Sequence, residues 1–256
     1  MNSLRRLIDN SRIQIIGRKS QYGRTGLGNR FLPMPDVAYE FWNLHADPRF
    51  ARSYLKEASG QRAREKLTSA VRALVRWQGK ERFAAKITGP PRINFLSAVF
   101  PDAVFIHVIR DGRAVVHSLL NVAFWRAKGG LAKPFWDGGP GNDMSENPSH
   151  DPGILAALQW RDIIGTARQE ASRLRPEQYL ELRYEDLVAD PIGRLRQVVR
   201  YCGLSGSEPI ERYLDNSVKL SNMNGKYLRD FSAEYSGKLA KAMQPLLSLC
   251  GYTSAE

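Results

Sequence analysis

Cysteine is scarce in this chain: Cys202 and Cys250 are the only two in 256 residues, each beside a glycine near the end of a predicted helix. Two thiols build neither a disulfide framework nor a cysteine metal quartet, which favours a reducing compartment. Long apolar runs are missing as well. No stretch approaches the roughly 20 residues that span a bilayer, and no short apolar segment follows a basic start as in a secretory leader. These absences predict a soluble, cytoplasmic protein with no membrane partner. Histidine is rare too, and His45, His107, His117 and His150 show no metal-ligand spacing, so no metal is expected. Neither a low-complexity tract nor an internal repeat interrupts the chain.

Acidic residues are also in short supply. Asp and Glu total 26 against 38 Lys and Arg, a formal net charge of +12. Such a field attracts an anionic partner but does not distinguish nucleic acid, an acidic membrane surface and a phosphorylated small molecule. The cations are scattered rather than blocked. Arg62, Arg64, Lys66, Arg72 and Arg76 lie along one predicted helix, where a solvated face accounts for them. With 43% hydrophobic and 25% charged residues, the composition is that of an ordinary folded protein, and the length suits a single domain over residues 1–256.

Periodicity orders the elements. Leu4, Leu7 and Ile8 stand at helical spacing, Arg12 to Ile16 alternates like a strand, and residues 18–36 read as a basic, glycine- and proline-broken loop that, with residues 126–152, is expected to serve as a substrate or lid loop. Ala51 to Trp77 predicts one or two amphipathic helices divided near Gly60. Phe83 to Thr88 reads as a strand, Pro90-Pro91 opens a short helix through Phe100, and Ala103 to Ile109 is apolar enough for a buried parallel strand. Gly112 to Trp125 reads as a helix, and residues 126–152 as a long connection of the kind that serves as a lid or binding loop. Gly153 to Leu174 predicts helix, Gln178 to Arg183 strand, Asp190-Pro191 a capped helix ending at Cys202, and Ser232 to Leu249 a closing helix. Strands alternating with helices describe βαβ units and a three-layer α/β/α domain with a central parallel sheet.

The chemistry concentrates in Val104-Phe-Ile-His-Val-Ile-Arg110-Asp-Gly-Arg-Ala-Val-Val-His-Ser118. Arg110 ends a buried strand. The carboxyl ends of strands in an open α/β sheet line the ligand crevice, so a cation there can meet an anion. Asp111 can cap the following helix, and Ser118 then lies about two turns onward on nearly the same helix face. A guanidinium fork and a hydroxyl together make a small phosphate clamp. Taken singly, a charge after a strand and a serine in a helix are commonplace.

The string from Phe100 to Ser118 resembles the sulfotransferase motif that holds the 3'-phosphate of the donor 3'-phosphoadenosine 5'-phosphosulfate. Lys86-Ile-Thr-Gly-Pro90, Leu182-Arg-Tyr-Glu-Asp-Leu187 with Asp190-Pro191, and Leu249-Cys-Gly-Tyr252 resemble the same family in order and spacing. The resemblance implies a fold like that of the phosphate-loop NTPases and transfer of a sulfuryl group to a hydroxyl or amine on a small molecule, glycan or peptide, without nucleic acid. It assigns Arg110 and Ser118 to the 3'-phosphate and Tyr184 to the adenine, although an aromatic after a strand can equally be core. Trp160-Arg161 is similar to the family as well, there as a helix packing on the sheet.

One family element is not found: the loop of type Pro-Lys/Arg-Ser-Gly-Thr-Thr that follows a first strand and binds the 5'-phosphosulfate through backbone N–H groups. Ser3-Leu-Arg-Arg-Leu-Ile-Asp9 matches the continuation of the helix after that loop, so the resemblance implies a fold lacking its first strand and loop, which would lie upstream of Met1. A rival stretch, Gly17 to Gly26, has suitable residue types, but its glycines are misplaced and Pro33 and Pro35 bar a long helix after it. An inactive homologue that keeps only the 3'-phosphate half-site is the alternative to an enzyme. Family members deprotonate the acceptor with a histidine or glutamate; Glu40 and His45 are the only candidates, a structural role is preferred for both, and no catalytic residue is assigned.

Overall fold

A computed structural model describes residues 39–55, 60–77, 79–127, 129–140, 147, 150–208, 211–212, 214 and 220–252. The expected N-terminal helix, the strand at 12–16 and the loop at 18–36 lie outside the described residues. In chain order come α1 (Tyr39–His45), α2 (Gln61–Trp77), α3 (Ile93–Val99), β1 (Phe105–Ile109), α4 (Gly112–Asn121), α5 (Ala123–Ala127) and α6 (Pro152–Ala171). A 3-10 turn (Pro176–Gln178) leads to β2 (Tyr179–Arg183), α7 (Tyr184–Ala189), α8 (Pro191–Tyr201), α9 (Gly225–Asp230), α10 (Ala233–Met243) and α11 (Leu246–Leu249).

The strands pair in parallel, with Phe105 opposite Tyr179 and Ile109 opposite Arg183. Parallel neighbours need a crossover, and α4 to α6 supply it, so the expected α/β unit is present. Because Ile109 and Arg183 close the ladder together, Arg110 and Tyr184 leave the sheet side by side. That register places the site.

Two apolar clusters hold the fold. One gathers Ile109 of β1, Val116, Trp125, Trp160, Ile164, Leu239, Met243 and Leu247. The other gathers Phe41, Trp42, Phe50, Leu67, Val71, Phe95 and Leu96, with Phe105 packed against it. Fully buried side chains such as Trp125, Phe50 and Leu67 each contribute about 2 kcal/mol of apolar burial. Phe105 and Ile109 share one strand face by alternation, and the helices cover that face. Val104 and Val108 lie on the other face and stay 41% and 50% exposed. Gly112 lets α4 start hard against its neighbours: a Cβ there would collide with Met243 Sδ and stand 2.9 Å from Trp160 Cδ2.

Four element expectations are corrected. Phe83 to Thr88 forms no strand: it is without regular secondary structure and mostly exposed, and Thr88 is tied instead to the Tyr39 hydroxyl, which receives its N–H at 3.1 Å. Apolar content makes a strand only where another strand's edge accepts the hydrogen bonds. The helix expected from Gly112 to Trp125 breaks at Val122, whose backbone is extended. The closing helix is split into α10 and α11 around Gln244 and Pro245, since proline lacks the N–H that helix continuation needs. Before Gly60, residues 49–53 make turns and Ser53 bridges to Asp137, so the described helix begins only at Gln61.

Candidate functional site

Arg110 follows β1 and is gripped on three sides. Its backbone carbonyl accepts from the Trp160 indole N–H at 3.2 Å, tying it to α6. Its Nε donates to Asn224 Oδ1 at 2.8 Å. Its guanidinium carbon sits 4.8 Å from the centroid of the Tyr184 ring, a cation–π contact that orients the planar group. Among the described residues the two terminal guanidinium nitrogens make no hydrogen bond, so the forked end is the part left to meet an anion.

Asp111 caps α4 as the sequence suggests, its carboxylate accepting from Arg113 N at 2.9 Å. The same carboxylate is buried and receives Arg113 Nε at 3.0 Å and Nη2 at 2.8 Å. Tyr227 of α9 donates to Asp111 Oδ2 at 3.3 Å, and its ring lies 5.3 Å from the Arg113 guanidinium. Burial, then the facing Asp111 carboxylate, raises the Tyr227 hydroxyl pKa. Asp111 and Arg113 thus satisfy one another inside the fold, and their charges serve the helix start rather than a ligand. Ser118 lies on α4 with an exposed side chain that makes no hydrogen bond among the described residues.

Tyr184 opens α7 where β2 ends. Its hydroxyl donates to the Ser221 carbonyl at 2.9 Å and receives Met223 N–H at 3.3 Å, pinning the segment that carries Asn224. One face of the ring carries Arg110. Beside it, Glu185 joins four groups. Oε1 accepts from Asp111 N at 3.2 Å and from Asn224 Nδ2 at 2.6 Å; Oε2 accepts from the Tyr252 hydroxyl at 2.8 Å and lies 4.0 Å from Arg183 Nε. Burial, followed by the bond to Glu185, raises the Tyr252 hydroxyl pKa.

The sheet register therefore joins Arg110 and Tyr184 directly, and Ser118 stands farther along α4 in the helix that Arg110 feeds. Trp160, Glu185 and Asn224 were not singled out by sequence as members of this group. Glu185 lies in the Tyr184-Glu-Asp186 segment, and Trp160 packs as a buried residue of its helix, in line with the structural role expected of it. Asn224 is 114 positions from Arg110 and carries no local signal.

The remaining candidates lie elsewhere. Part of the 126–152 connection is packed down: Gln159 Oε1 receives Phe135 N at 2.9 Å and Trp136 N at 3.3 Å. His45 has its ring 4.9 Å from that of Phe41, and the Glu40 side chain lies outside the described residues. Among the described residues no cluster of three metal-capable side chains occurs, and no helix is long and apolar enough to cross a membrane.

A family model described as "Sulfotransferase family" matches residues 36–208, more than half of the chain. Omega-hydroxy-beta-dihydromenaquinone-9 sulfotransferases of Mycobacterium bovis and Mycobacterium tuberculosis are each 33% identical to it over 119 residues. That stretch covers 46% of this chain and 27% of each relative.

Proposed function

The chain belongs to the sulfotransferase family, and on that premise we propose that it is a transferase that moves a sulfuryl group from 3'-phosphoadenosine 5'-phosphosulfate to a hydroxyl or amine acceptor. Arg110 and Ser118 hold the donor's 3'-phosphate, and Tyr184 stacks on the adenine with the ring face that Arg110 leaves open. The observation that carries this reading is the forked end of Arg110, held at the carboxyl end of β1 by Asn224, Tyr184 and Trp160 with its terminal nitrogens unengaged among the described residues. Guanidinium forks match phosphate oxygens, and the crevice above the strand ends is where α/β sheets take ligands.

In the transfer, the acceptor oxygen or nitrogen forms a bond to sulfur as the bond from sulfur to the phosphate oxygen breaks. The electron pair of that bond leaves with adenosine 3',5'-bisphosphate, and the acceptor proton goes to a base. Positioning and charge stabilisation dominate such in-line transfers, so the role of Arg110 is to fix the nucleotide rather than to touch the migrating group. The relatives' names describe a hydroxylated, menaquinone-type acceptor, which favours a hydroxyl over an amine here.

Thermal unfolding tests the reading. Adenosine 3',5'-bisphosphate at about a hundredfold excess over its Kd is expected to raise Tm by several degrees, since such saturation stabilises a fold by about 2.7 kcal/mol. Arg110→Ala is expected to abolish that shift, and a shift that persists unchanged defeats the assignment.

A further inference from the structure

We infer that Glu185 and Asn224 are positioning residues that set the direction of the Arg110 fork, in a relay running from Tyr252 through Glu185 and Asn224 to Arg110. The inference rests on the donor reading above and adds to it the groups that aim its principal cation.

The donor and acceptor pattern leaves the relay one arrangement. Arg110 Nε can only donate, so it requires an oxygen, and Asn224 Oδ1 meets it at 2.8 Å. The Asn224 amino group must then face the other way, where Glu185 Oε1 accepts it at 2.6 Å. Glu185 is itself held by Asp111 N at 3.2 Å and by the Tyr252 hydroxyl at 2.8 Å. A carboxylate anchored at both oxygens thereby orients a carboxamide, and the carboxamide holds the inner edge of the guanidinium. The outer edge, with both terminal nitrogens, is turned away from the relay. Tyr184 contributes a second constraint, gripping the Ser221 carbonyl and Met223 N–H so that Asn224 is delivered to this place.

Restraint of this kind lowers the entropy lost when a long side chain takes a ligand, so it acts on affinity for the group Arg110 meets and on nothing else. The test compares two ligands that differ only in the 3'-phosphate, adenosine 3',5'-bisphosphate and adenosine 5'-monophosphate, by titration calorimetry on the full chain. Asn224→Ala is expected to weaken the bisphosphate about tenfold, the scale of a lost hydrogen bond to a charged group, and to leave the monophosphate within about twofold. In an Arg110→Ala background, Asn224→Ala is expected to cost nothing more. Glu185→Ala should behave like Asn224→Ala. Glu185→Gln should restore most of the affinity, because its oxygen still accepts from Asn224 while its amino group donates to the Tyr252 hydroxyl.

Equal weakening of both nucleotides by Asn224→Ala, or an undiminished loss in the Arg110→Ala background, overturns the relay. If Arg110→Ala matters and Asn224→Ala does not, the relay falls and the donor reading stands. If Arg110→Ala leaves the bisphosphate affinity unchanged, both fall.

Discussion

Glu181 shows how single residues distribute charge around the sheet. It faces His107 across the parallel ladder, and Arg168 of α6 grips its carboxylate at 2.6 and 3.1 Å. The Tyr179 hydroxyl links the two, 2.6 Å from His107 Nδ1 and 3.1 Å from Glu181 Oε2. Burial pushes the Glu181 carboxyl upward, but the bonds from His107 and Arg168 outweigh it and hold the pKa down to about 2. In the unfolded chain the same group takes a proton near its ordinary 4.5. Its contribution is therefore full above that value and drains as pH falls toward 2. Discounted for partial solvent screening, about 1–2 kcal/mol of stability is expected to be lost across that window. A Tm-versus-pH profile reads this directly, and Glu181→Gln should flatten the acid limb while lowering the plateau. An acid limb that Glu181→Gln leaves as steep as before would refute the assignment.

A few polar residues decide where the elements begin. Asp151 starts α6 by accepting from Gly153 N at 2.7 Å and Ile154 N at 3.2 Å, with Pro152 in the first turn. Tyr235 of α10 donates to the same oxygen at 2.7 Å, so one carboxylate both caps the crossover helix and ties it to its neighbour. Asp151→Ala is expected to destabilise the fold by about 1–2 kcal/mol in denaturant unfolding, and Asp151→Asn by clearly less. Equal losses for the two would mean the cap is not what α6 depends on. Caps of this kind are legible from sequence because they act within three residues: Asp111 and Asp190 were both expected to cap and both do. Element ends set by tertiary contact were not. Val122 interrupts a helix that apolar periodicity ran straight through. The stretch from Phe83 to Thr88 has a strand's composition and no strand beside it among the described residues.

For the molecule as a whole, the +12 charge does not by itself separate a mononucleotide from a nucleic acid as the anionic partner. A mononucleotide clamp built on Arg110 neutralises a single phosphate group there, whereas a nucleic-acid surface neutralises many in a row. Oligonucleotides of increasing length are therefore expected to compete with adenosine 3',5'-bisphosphate no better as they lengthen, and the salt dependence should stay shallow. Fluorescence competition at two ionic strengths measures both. Affinity that climbs with oligonucleotide length would move the protein to the nucleic-acid class.

The amino-acid sequence by itself determined the alternation of strands and helices through β1, α4, α6 and β2, the capping carboxylates, and the standing of Arg110 at the end of an apolar strand. Each depends on side-chain period or on groups a few residues apart, and such signals survive without knowledge of the fold. Tertiary structure alone decided that Arg183 closes the ladder opposite Ile109, which sets Tyr184 beneath the Arg110 guanidinium. It alone brought Asn224 across 114 positions to the Arg110 Nε and made Glu185 the junction between Asp111, Asn224 and Tyr252. Hydrogen bonds over such separations depend on how helices and sheet pack together, and packing sums contacts over the whole chain that no local period encodes.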